Sequence, residues 1–382
     1  MVVVLLVEVP AAEACFPRLF SFGDSLTDTG NYRFVYVNDT RETALRPPYG
    51  QTFFHRATGR FSNGRLIVDF IADALGLPFV RPYWNGSEAK DFAFGANFAV
   101  GGATALSPDF FRDRGVPMGA LGYRVHLDLE MKWFRDLLQL LCPSDPAGCS
   151  DLMNESLFLV GEIGGNDYNI PLLTGVPFKK IRTFPPSVVA KISSTITELI
   201  GLGAKTLVVP GNLPIGCIPK YLSRFQSDNE EDYEQETGCL RWMNEFAEHH
   251  NELLMVELKK LRVLHPDVTI IYADYYGAAM EVFSSPEQFG IDEPLVACCG
   301  GRGTYGVAKG VGCGYGDYKV CDNPDKYGSW DALHPTEAVY VAIAMGLLSS
   351  YTWPPLHATI TSSCPHLTGL SFSTEYKGLD DM

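Results

Sequence analysis

The strongest structural signal in this chain is the segment Phe20-Ser21-Phe22-Gly23-Asp24-Ser25-Leu26-Thr27-Asp28-Thr29-Gly30-Asn31. Its apolar start, with Leu19, Phe20 and Phe22, predicts a buried β-strand. The sequence then changes at once to Gly, Asp and Ser, the residues that turn a chain and cap a helix. A serine at such a change can lie at the carboxyl edge of a sheet, beside helical N–H groups that attract anions. Ser25 is therefore a candidate nucleophile.

Four further apolar runs predict partner strands for this one. The predicted strands cover residues 18–22, 94–99, 156–161, 205–209 and 269–273. Several are continuously apolar, as expected for strands buried on both faces of a parallel sheet. Helical patterns occur at residues 66–75, 186–202, 240–261 and 336–348, with Ser62 or Asn63 as a cap and Pro335 at a first helical position. This alternation predicts a three-layer α/β/α sandwich with a central parallel sheet.

Polar and glycine-rich segments follow three of the predicted strands. Ser25 follows the first strand, Gly101 and Gly102 follow the second, and Gly164-Gly165-Asn166-Asp167 follows the third. In sheets of this class, ligands bind beyond the carboxyl ends of the strands. The three segments therefore predict a single site at one edge of the sheet.

A nucleophilic serine requires a base, and the base requires an orienting group. Asp331 precedes His334 by three residues, so its carboxylate can hold one ring nitrogen while the other faces Ser25. Acyl transfer also requires donors for the oxyanion of the tetrahedral intermediate. The candidate donors are the backbone N–H groups of Ser25 and Gly101 and the side-chain amide of Asn166. Taken alone, each residue also has a purely structural explanation. Gly101 can be a turn glycine, Asn166 can form an Asx-turn and His334 can cap a helix.

Taken together, these segments resemble a known family. The matching stretches are FSFGDSLTDTGN, GRFSNGRLIVDFIA, NFAVGGATAL, FLVGEIGGNDYN, VVPGNLPIGC and WDALHPTEAVY. In order and spacing they are similar to the GDSL esterase/lipase family of SGNH hydrolases, and most similar to its plant secreted branch. The resemblance implies a flavodoxin-like α/β/α fold and a Ser25, Asp331 and His334 triad. It also implies an oxyanion hole of Ser25, Gly101 and Asn166, and no cofactor or metal.

The implied activity is carboxylic-ester hydrolysis through an acyl-enzyme on Ser25. Acetylated glycans, acylated metabolites and lipid esters remain open as substrates. Two alternatives also remain. One is a non-catalytic secreted glycoprotein that binds carbohydrate or a partner on the same scaffold, and the other is an acyltransferase. A binding protein would not react with a fluorophosphonate at Ser25.

Composition limits the partners of the chain. Among 382 residues, 46% are hydrophobic and 20% are charged, and the formal net charge is -15. This acidity disfavours nucleic acid and anionic membranes, which select basic surfaces. No apolar run reaches membrane-spanning length. The expected partner is a small-molecule or glycan ester, and the oligomeric state is left open.

The N-terminus and the cysteines suggest export. Residues 1–14 resemble a truncated signal peptide, with an ordinary first strand as the alternative. Residues 15–382 are then a single hydrolase domain. The ten cysteines are an even number, and we expect Cys142 to pair with Cys149 and two bridges among Cys298, Cys299, Cys313 and Cys321. Sequons at Asn38, Asn85 and Asn154 fit a glycosylated protein that is secreted, to the cell wall, or held in the endomembrane lumen.

Three other features have structural interpretations. Gly301-Arg302-Gly303-Thr304-Tyr305-Gly306 fits Gly-x-Gly-x-x-Gly but lies among cysteines with no helix pattern after it, so we do not expect a dinucleotide site. His250 lies near the apolar stripe of a long helix, where a hydrogen-bonded packing role is expected. Tyr83 and Trp84 are expected to pack in or around the core, with a sugar or phenolic acyl site as the alternative.

Overall fold

A central parallel sheet organises the computed structural model, which describes residues 16–36, 44–117, 125–143 and 146–354. The strands of the protein are β1 (Leu19–Phe22), β2 (Gly95–Asn97), β3 (Leu157–Val160), β4 (Thr206–Pro210), β5 (Thr269–Ala273), β6 (Glu293–Ala297), β7 (Cys299–Gly300), β8 (Lys319–Val320), β9 (Tyr327–Ser329) and β10 (Thr352–Trp353). The strand order of the central sheet is β10-β5-β4-β3-β1-β2, in which β1 to β5 run parallel and β10 pairs antiparallel with β5. The five predicted core strands are confirmed.

Helices cover both faces of this sheet. The α-helices are α1 (Tyr32–Val35), α2 (Ile67–Ala74), α3 (Pro108–Asp113), α4 (Leu127–Leu141), α5 (Pro146–Glu155), α6 (Gly165–Leu173), α7 (Phe178–Ile181), α8 (Pro185–Gly201), α9 (Pro219–Arg224), α10 (Arg241–Leu264), α11 (Tyr275–Ser284) and α12 (Glu337–Ser349). Short 3₁₀ turns occur at Tyr83–Asn85, Ala89–Phe92, Ile215–Cys217, Glu230–Asp232, Pro286–Phe289, Thr304–Gly306 and Pro324–Lys326. Helices α4, α8 and α10 pack on one face, and α2, α11 and α12 on the other. The predicted three-layer α/β/α sandwich is confirmed.

Alternating side chains explain why the sheet is buried on both faces. In β1, Phe20 and Phe22 join the core beneath α4, whereas Leu19 joins the core beneath α2. Phe22 stacks on Phe98 at 5.2 Å between ring centroids, and Phe134 of α4 contacts Phe22 edge-on. Because fully burying one such side chain contributes about 1.5–3 kcal/mol, continuous apolar runs are stable only between two helical layers.

The order of the strands positions the site. From β1 the chain crosses to β2 on one side and then returns to β3 on the other side of β1. Such a reversal opens a crevice at the carboxyl ends of the two central strands. Ser25 follows β1, and the segment that begins at Gly161 follows β3. The fold therefore brings together the strand ends that the sequence analysis identified.

Two predicted helix starts are wrong. Helix α2 begins at Ile67, and Asp69 in its first turn accepts from the Leu66 N–H at 2.9 Å, so neither Ser62 nor Asn63 caps it. Asn63 instead accepts from the backbone N–H of Glu337 at 2.8 Å, at the start of α12. Pro335 lies just outside α12, because Thr336 occupies its N-cap position.

Disulfides close several loops. The expected Cys142–Cys149 bridge is confirmed, and the four clustered cysteines form Cys298–Cys321 and Cys299–Cys313. A fourth bridge, Cys217–Cys239, ties the 3₁₀ turn Ile215–Cys217 to the segment just before α10. Cys15, Cys364, the predicted signal segment 1–14 and the sequon at Asn38 lie outside the described residues. Asn154 is exposed and Asn85 is half-buried. None of the described helices is long and apolar enough to cross a membrane.

Candidate active site

Ser25 lies in a tight turn directly after β1. The turn begins at Gly23, whose φ of 139° favours glycine and where a Cβ atom would lie 2.8 Å from the Glu162 carbonyl oxygen. The Asp24 N–H donates to that same carbonyl at 3.1 Å, and the Asp24 carbonyl accepts from the N–H of Asp28 at 2.9 Å. The close approach of the β1 and β3 ends therefore fixes the backbone that carries Ser25.

A hydrogen-bonded chain links Ser25 to His334 and Asp331. Ser25 Oγ lies 2.8 Å from His334 Nε2, and His334 Nδ1 lies 2.8 Å from Asp331 Oδ2. A carboxylate only accepts hydrogen bonds, so the network assigns the proton of the neutral ring to Nδ1 and leaves Nε2 to accept from the serine hydroxyl. The structure thus places together three residues that are separated by up to 309 positions.

A strained backbone turn orients the Asp331 side chain toward the imidazole of His334. Ala332 has a φ of 77°, which is rare for a residue with a side chain. This turn lets Asp331 Oδ1 accept from the N–H groups of Leu333 and His334, at 3.0 and 2.8 Å. Backbone strain of this kind persists where the surrounding structure imposes it, and it often occurs at functional sites.

Tyr49 is a member of the site that the sequence analysis did not identify. Its hydroxyl donates to Asp331 Oδ2 at 2.7 Å, and its ring packs edge-on against Trp330. Burial would raise the pKa of Asp331, but the charge and hydrogen bonds of His334 and the Tyr49 hydroxyl lower it below its usual value. Asp331 is therefore a carboxylate throughout the neutral range. No periodic or motif signal marks Tyr49 in the sequence.

The backbone donors near Ser25 differ in one respect from the prediction. The Gly101 N–H donates to Asp28 Oδ2 at 2.8 Å, so it is not free to bind an oxyanion. The next N–H, from Gly102, donates to no described residue, and Gly102 lines the cavity in front of Ser25. The Ser25 N–H also donates to no described residue. The choice between the two glycines depends on the position of the Asp28 carboxylate, which the sequence does not reveal.

Asn166 lies in the first turn of α6, at the wall of the same cavity. Its side-chain amide donates to Asp24 Oδ2 at 3.0 Å and to the Ala103 carbonyl at 3.1 Å. An oxyanion would therefore have to share one of these two hydrogens. The adjacent Asp167 accepts from the N–H of Ala105 at 2.8 Å, which ties α6 to the segment after β2.

Buried carboxyl groups form the framework beneath the site. Burial raises the pKa of Asp24 and of Asp28 to about 6, and that of Asp167 to about 7. Burial also raises the pKa of Glu130 and Glu162, and the nearby Asp24 charge adds to the rise for both. Asp24 and Glu162 hydrogen-bond to each other, so the pair shares a proton, which we assign to Glu162.

A cavity of about 830 Å³ opens in front of Ser25 and His334. Its walls are mostly apolar, including Phe61, Ile170 and Leu173, and they also include Arg46 and Lys220. One wall is the disulfide-bonded loop between Cys298 and Cys321, which contributes Gly300, Gly306, Val307, Val311, Gly312, Cys313 and Tyr315. The cysteine spacing predicted a stapled loop, but not its place beside the nucleophile.

The remaining candidates lie outside the cavity or have structural contacts. His250 is buried and pairs with the Tyr168 hydroxyl at 2.8 Å, which confirms its packing role. Tyr83 and Trp84 pack against Trp133, in agreement with the expected packing role. No helix follows the Gly-x-Gly-x-x-Gly match at residues 301–306 before strand β8 begins at Lys319. Among the described residues, no cluster of His, Cys, Asp and Glu could hold a metal ion.

Comparisons with known proteins identify the family of the chain. A family model described as GDSL-like Lipase/Acylhydrolase matches residues 19–347. The chain is 47% identical over 344 residues to GDSL esterase/lipase At1g28600 of Arabidopsis thaliana, covering 89% of this chain and 86% of that protein. It is 43% identical over 351 residues to the sinapine esterase of Brassica napus, covering 90% and 89%. The matched region contains strands β1 to β5 and the whole Ser25–His334–Asp331 chain.

Proposed function

The chain belongs to the GDSL-like lipase/acylhydrolase family of serine ester hydrolases, and we propose that Ser25 is its nucleophile, with His334 as base and Asp331 as orienting group. The observation that supports these roles is the continuous hydrogen bonding from Ser25 Oγ through the imidazole to the Asp331 carboxylate. His334 Nε2 lies 2.8 Å from Ser25 Oγ and accepts its hydrogen bond, so it is well placed to remove the serine proton.

In the first half-reaction, Ser25 Oγ attacks the ester carbonyl carbon and its proton passes to His334 Nε2. The negative charge that develops on the carbonyl oxygen is held by the N–H groups of Ser25 and Gly102, with the Asn166 amide sharing one hydrogen. We choose Gly102 because the Gly101 N–H is bonded to Asp28. The tetrahedral intermediate then collapses, the C–O bond to the alcohol breaks, and His334 gives the proton to the departing oxygen.

In the second half-reaction, water replaces the alcohol. His334 Nε2 takes a proton from the water as its oxygen attacks the acyl carbon. Collapse of this second intermediate breaks the bond to Ser25 Oγ and returns the proton to the serine. The product is a carboxylic acid, and the enzyme regains its starting protonation. Asp331 stays ionised throughout and stabilises the imidazolium that forms twice in each cycle.

The cavity supports a soluble small-molecule ester as the substrate. A volume of about 830 Å³ lies within the usual range for small-ligand sites. Its apolar walls accept an aromatic or short aliphatic acyl group. One relative is named a sinapine esterase, so sinapine belongs in a substrate screen together with acetylated glycans and simple lipid esters.

An oxidising compartment is the proposed location of the protein. Four disulfides connect described cysteines, and such bonds persist in secreted proteins and in the endomembrane lumen. The exposed sequon at Asn154 is consistent with passage through that route. Glycosylation at Asn154 and removal of residues 1–14 are part of this proposal.

Substitution Ser25→Ala tests the assignment of the nucleophile. We expect ester hydrolysis to fall by about 10³-fold or more, because no other hydroxyl occupies the Ser25 position beside His334. Labelling by a fluorophosphonate should also disappear, while the melting temperature stays near that of the unaltered protein. Ser194→Ala, on the exposed face of α8, is the matched control and should keep full activity. A Ser25→Ala protein that retains most of its activity would refute the assignment.

A further inference from the structure

Glu162 lies against the turn that carries the nucleophile. It is the second residue after β3, and only 4% of its surface is exposed. Its carbonyl accepts from the Asp24 N–H at 3.1 Å, and its carboxyl group hydrogen-bonds to the Asp24 side chain. Both the backbone and the side chain of Glu162 therefore contact the residue that precedes Ser25.

The carboxyl group of Glu162 also packs against the start of α6. A Cβ atom at Gly165, the first residue of this helix, would lie 3.0 Å from Glu162 Oε1 and 3.6 Å from Oε2. Glycine at position 165 thus leaves room for the carboxyl group. The next residue of α6 is Asn166, whose amide is the side-chain donor proposed for the oxyanion.

Asp24 connects Glu162 to this amide. Asp24 Oδ2 accepts from Asn166 Nδ2 at 3.0 Å, and Asp24 Oδ1 accepts from the Leu26 N–H at 3.0 Å. The Asn166 amide also donates to the Ala103 carbonyl at 3.1 Å. The direction of the amide therefore depends on the position of the Asp24 carboxylate, to which Glu162 is bonded as well.

A proton on Glu162 makes this arrangement possible, because two ionised carboxylates have no hydrogen to share. Burial, the Asp24 carboxylate and the charge of Asp167 all raise the pKa of Glu162. The neutral carboxyl group of Glu162 is therefore the donor and the Asp24 carboxylate is the acceptor. Together the two residues carry a single negative charge.

Both the fixed position and the single charge of this pair favour the transition state. Donors stabilise an oxyanion most strongly when they are held in place before the reaction. The Asn166 amide can be held in this way only if the Asp24 carboxylate does not rotate. A second negative charge next to Asn166 would also repel the oxyanion that forms there.

We propose that Glu162 is a positioning residue of the oxyanion hole, and that its neutral carboxyl group fixes the Asp24 carboxylate and, through it, the Asn166 amide. Glu162 exchanges no proton with the substrate in this role. The inference rests on the proposed function, because it uses Asn166 as a donor to the oxyanion.

Two substitutions of Glu162 test this role. Glu162→Gln keeps an N–H donor on a neutral side chain, whereas Glu162→Met has a similar length but no donor. In Glu162→Met we expect kcat for an acetyl ester to fall about tenfold, with KM nearly unchanged. In Glu162→Gln kcat should stay within about twofold of the original value. An equal loss of kcat in both variants, or a change in KM alone, would overturn the inference.

A double-mutant cycle measures whether Glu162 acts through Asn166. Asn166→Ala alone should lower kcat by about 10²-fold. In that background Glu162→Met should cause almost no further loss, because the amide that Glu162 positions is gone. Effects of the two substitutions that multiply would refute the inference, and so would an Asn166→Ala protein with the original kcat.

Tyr49→Phe provides the matched control cycle. The Tyr49 hydroxyl bonds to Asp331, on the side of the base and not of the oxyanion. Its substitution should therefore multiply with Glu162→Met. If Glu162→Met is also masked in the Tyr49→Phe background, the coupling to Asn166 is not specific and the inference fails.

Ser25→Ala in the same assay separates the inference from the proposed function. If Ser25→Ala abolishes hydrolysis while Glu162→Met and Asn166→Ala multiply, only the inference fails. If Ser25→Ala retains hydrolysis, the proposed function fails and the inference fails with it. Melting temperatures identify variants that do not fold. Should Glu162→Met be one of them, Glu162→Asp replaces it, because its shorter side chain withdraws the donor from Asp24 and should lower kcat in the same way.

Discussion

At the scale of single residues, the site depends on polar groups whose partners are distant in sequence. Asp331 receives hydrogen bonds from its own turn and from Tyr49, which lies 282 positions earlier. A buried carboxylate is costly unless such donors surround it. The same donors hold it in one orientation, and so they also orient His334. The same hydrogen bonds to Asp331 therefore stabilise the turn and orient His334.

Substitution Tyr49→Phe should weaken catalysis without removing it. The ring still packs against Trp330, but Asp331 Oδ2 loses one donor. We expect kcat to fall about three- to tenfold, the cost of one net hydrogen bond. The acid limb of the pH–rate profile should also move to higher pH, because the carboxylate with fewer donors holds the proton on His334 more strongly.

A matched substitution distinguishes this effect from a general loss of stability. The Tyr221 hydroxyl is buried and has no hydrogen-bond partner among the described residues. Tyr221→Phe should leave both the rate and the pH profile unchanged. Steady-state kinetics from pH 5 to 9 provide the comparison. An unshifted acid limb in Tyr49→Phe would mean that Tyr49 does not act through Asp331.

At the scale of elements, the stapled loop between Cys298 and Cys321 connects the cavity wall to the catalytic turn. Strand β7 at its start pairs with β8 at its end. The Cys299 N–H donates to the Trp330 carbonyl at 2.7 Å, immediately before Asp331. The loop therefore shares its anchor with the residues that orient His334, while its middle lines the cavity.

Removal of the Cys299–Cys313 bridge should alter substrate binding more than chemistry. In the Cys299→Ser, Cys313→Ser protein the loop gains freedom that a bound ester must remove. We expect KM for a bulky ester to rise about three- to tenfold, with kcat nearly unchanged. Steady-state kinetics with cinnamoyl and acetyl esters measure this, and the acetyl ester should show the smaller change.

The Cys142–Cys149 bridge gives the control, because neither cysteine lines the cavity. Its double serine variant should keep the original KM for both esters. Equal KM changes in the two bridge variants would indicate general destabilisation and would contradict the role of the loop in binding.

The sequence predicted the elements better than their contacts. The core strands were predictable because burial on two faces demands continuous apolar runs such as 205–209. The Asp331–His334 pair was predictable because the two residues share one turn. The hydrogen bonds from Gly101 to Asp28 and from Tyr49 to Asp331 were not, since they join residues that only the fold brings together. Likewise, the position of the α2 start depends on Asp69, which outcompetes Ser62 and Asn63 as the capping group.

At the scale of the whole molecule, buried acids hold together the carboxyl edge of the sheet. Asp28 accepts from the N–H groups of Gly30, Tyr32 and Gly101, and Asp167 accepts from those of Ala105 and Leu106. These bonds lower the cost of the charged form, but burial outweighs them, so the pKa of each acid remains raised. The folded protein therefore retains protons that the unfolded chain releases.

His250 has the opposite effect on the number of protons taken up on folding. Burial lowers its pKa to about 3, so the folded protein lacks a proton that the unfolded chain would hold below about pH 6.5. Burial also lowers the pKa of His126, so two histidines act in this direction, whereas five carboxyl groups have raised pKa values: Asp24, Asp28, Asp167, Glu130 and Glu162. Between pH 5 and 6.5 the net uptake of protons on folding is thus positive. His250→Asn, which keeps an acceptor for Tyr168, should steepen the pH dependence by about one proton.

The free energy of unfolding should therefore increase as the pH falls from 7 to 5. A carboxyl group with a raised folded-state pKa contributes stability that is complete below its unfolded pKa and is lost as the pH rises through its folded pKa. For Asp24, Asp28 and Asp167 this window runs from about pH 4 to about pH 7. The gain should reach at least about 1 kcal/mol per pH unit, the slope for one net proton. Urea unfolding at pH 7, 6 and 5, at constant ionic strength with the disulfides intact, measures it. A free energy of unfolding that falls between pH 7 and pH 5 would show that the buried acids are ionised in the folded protein.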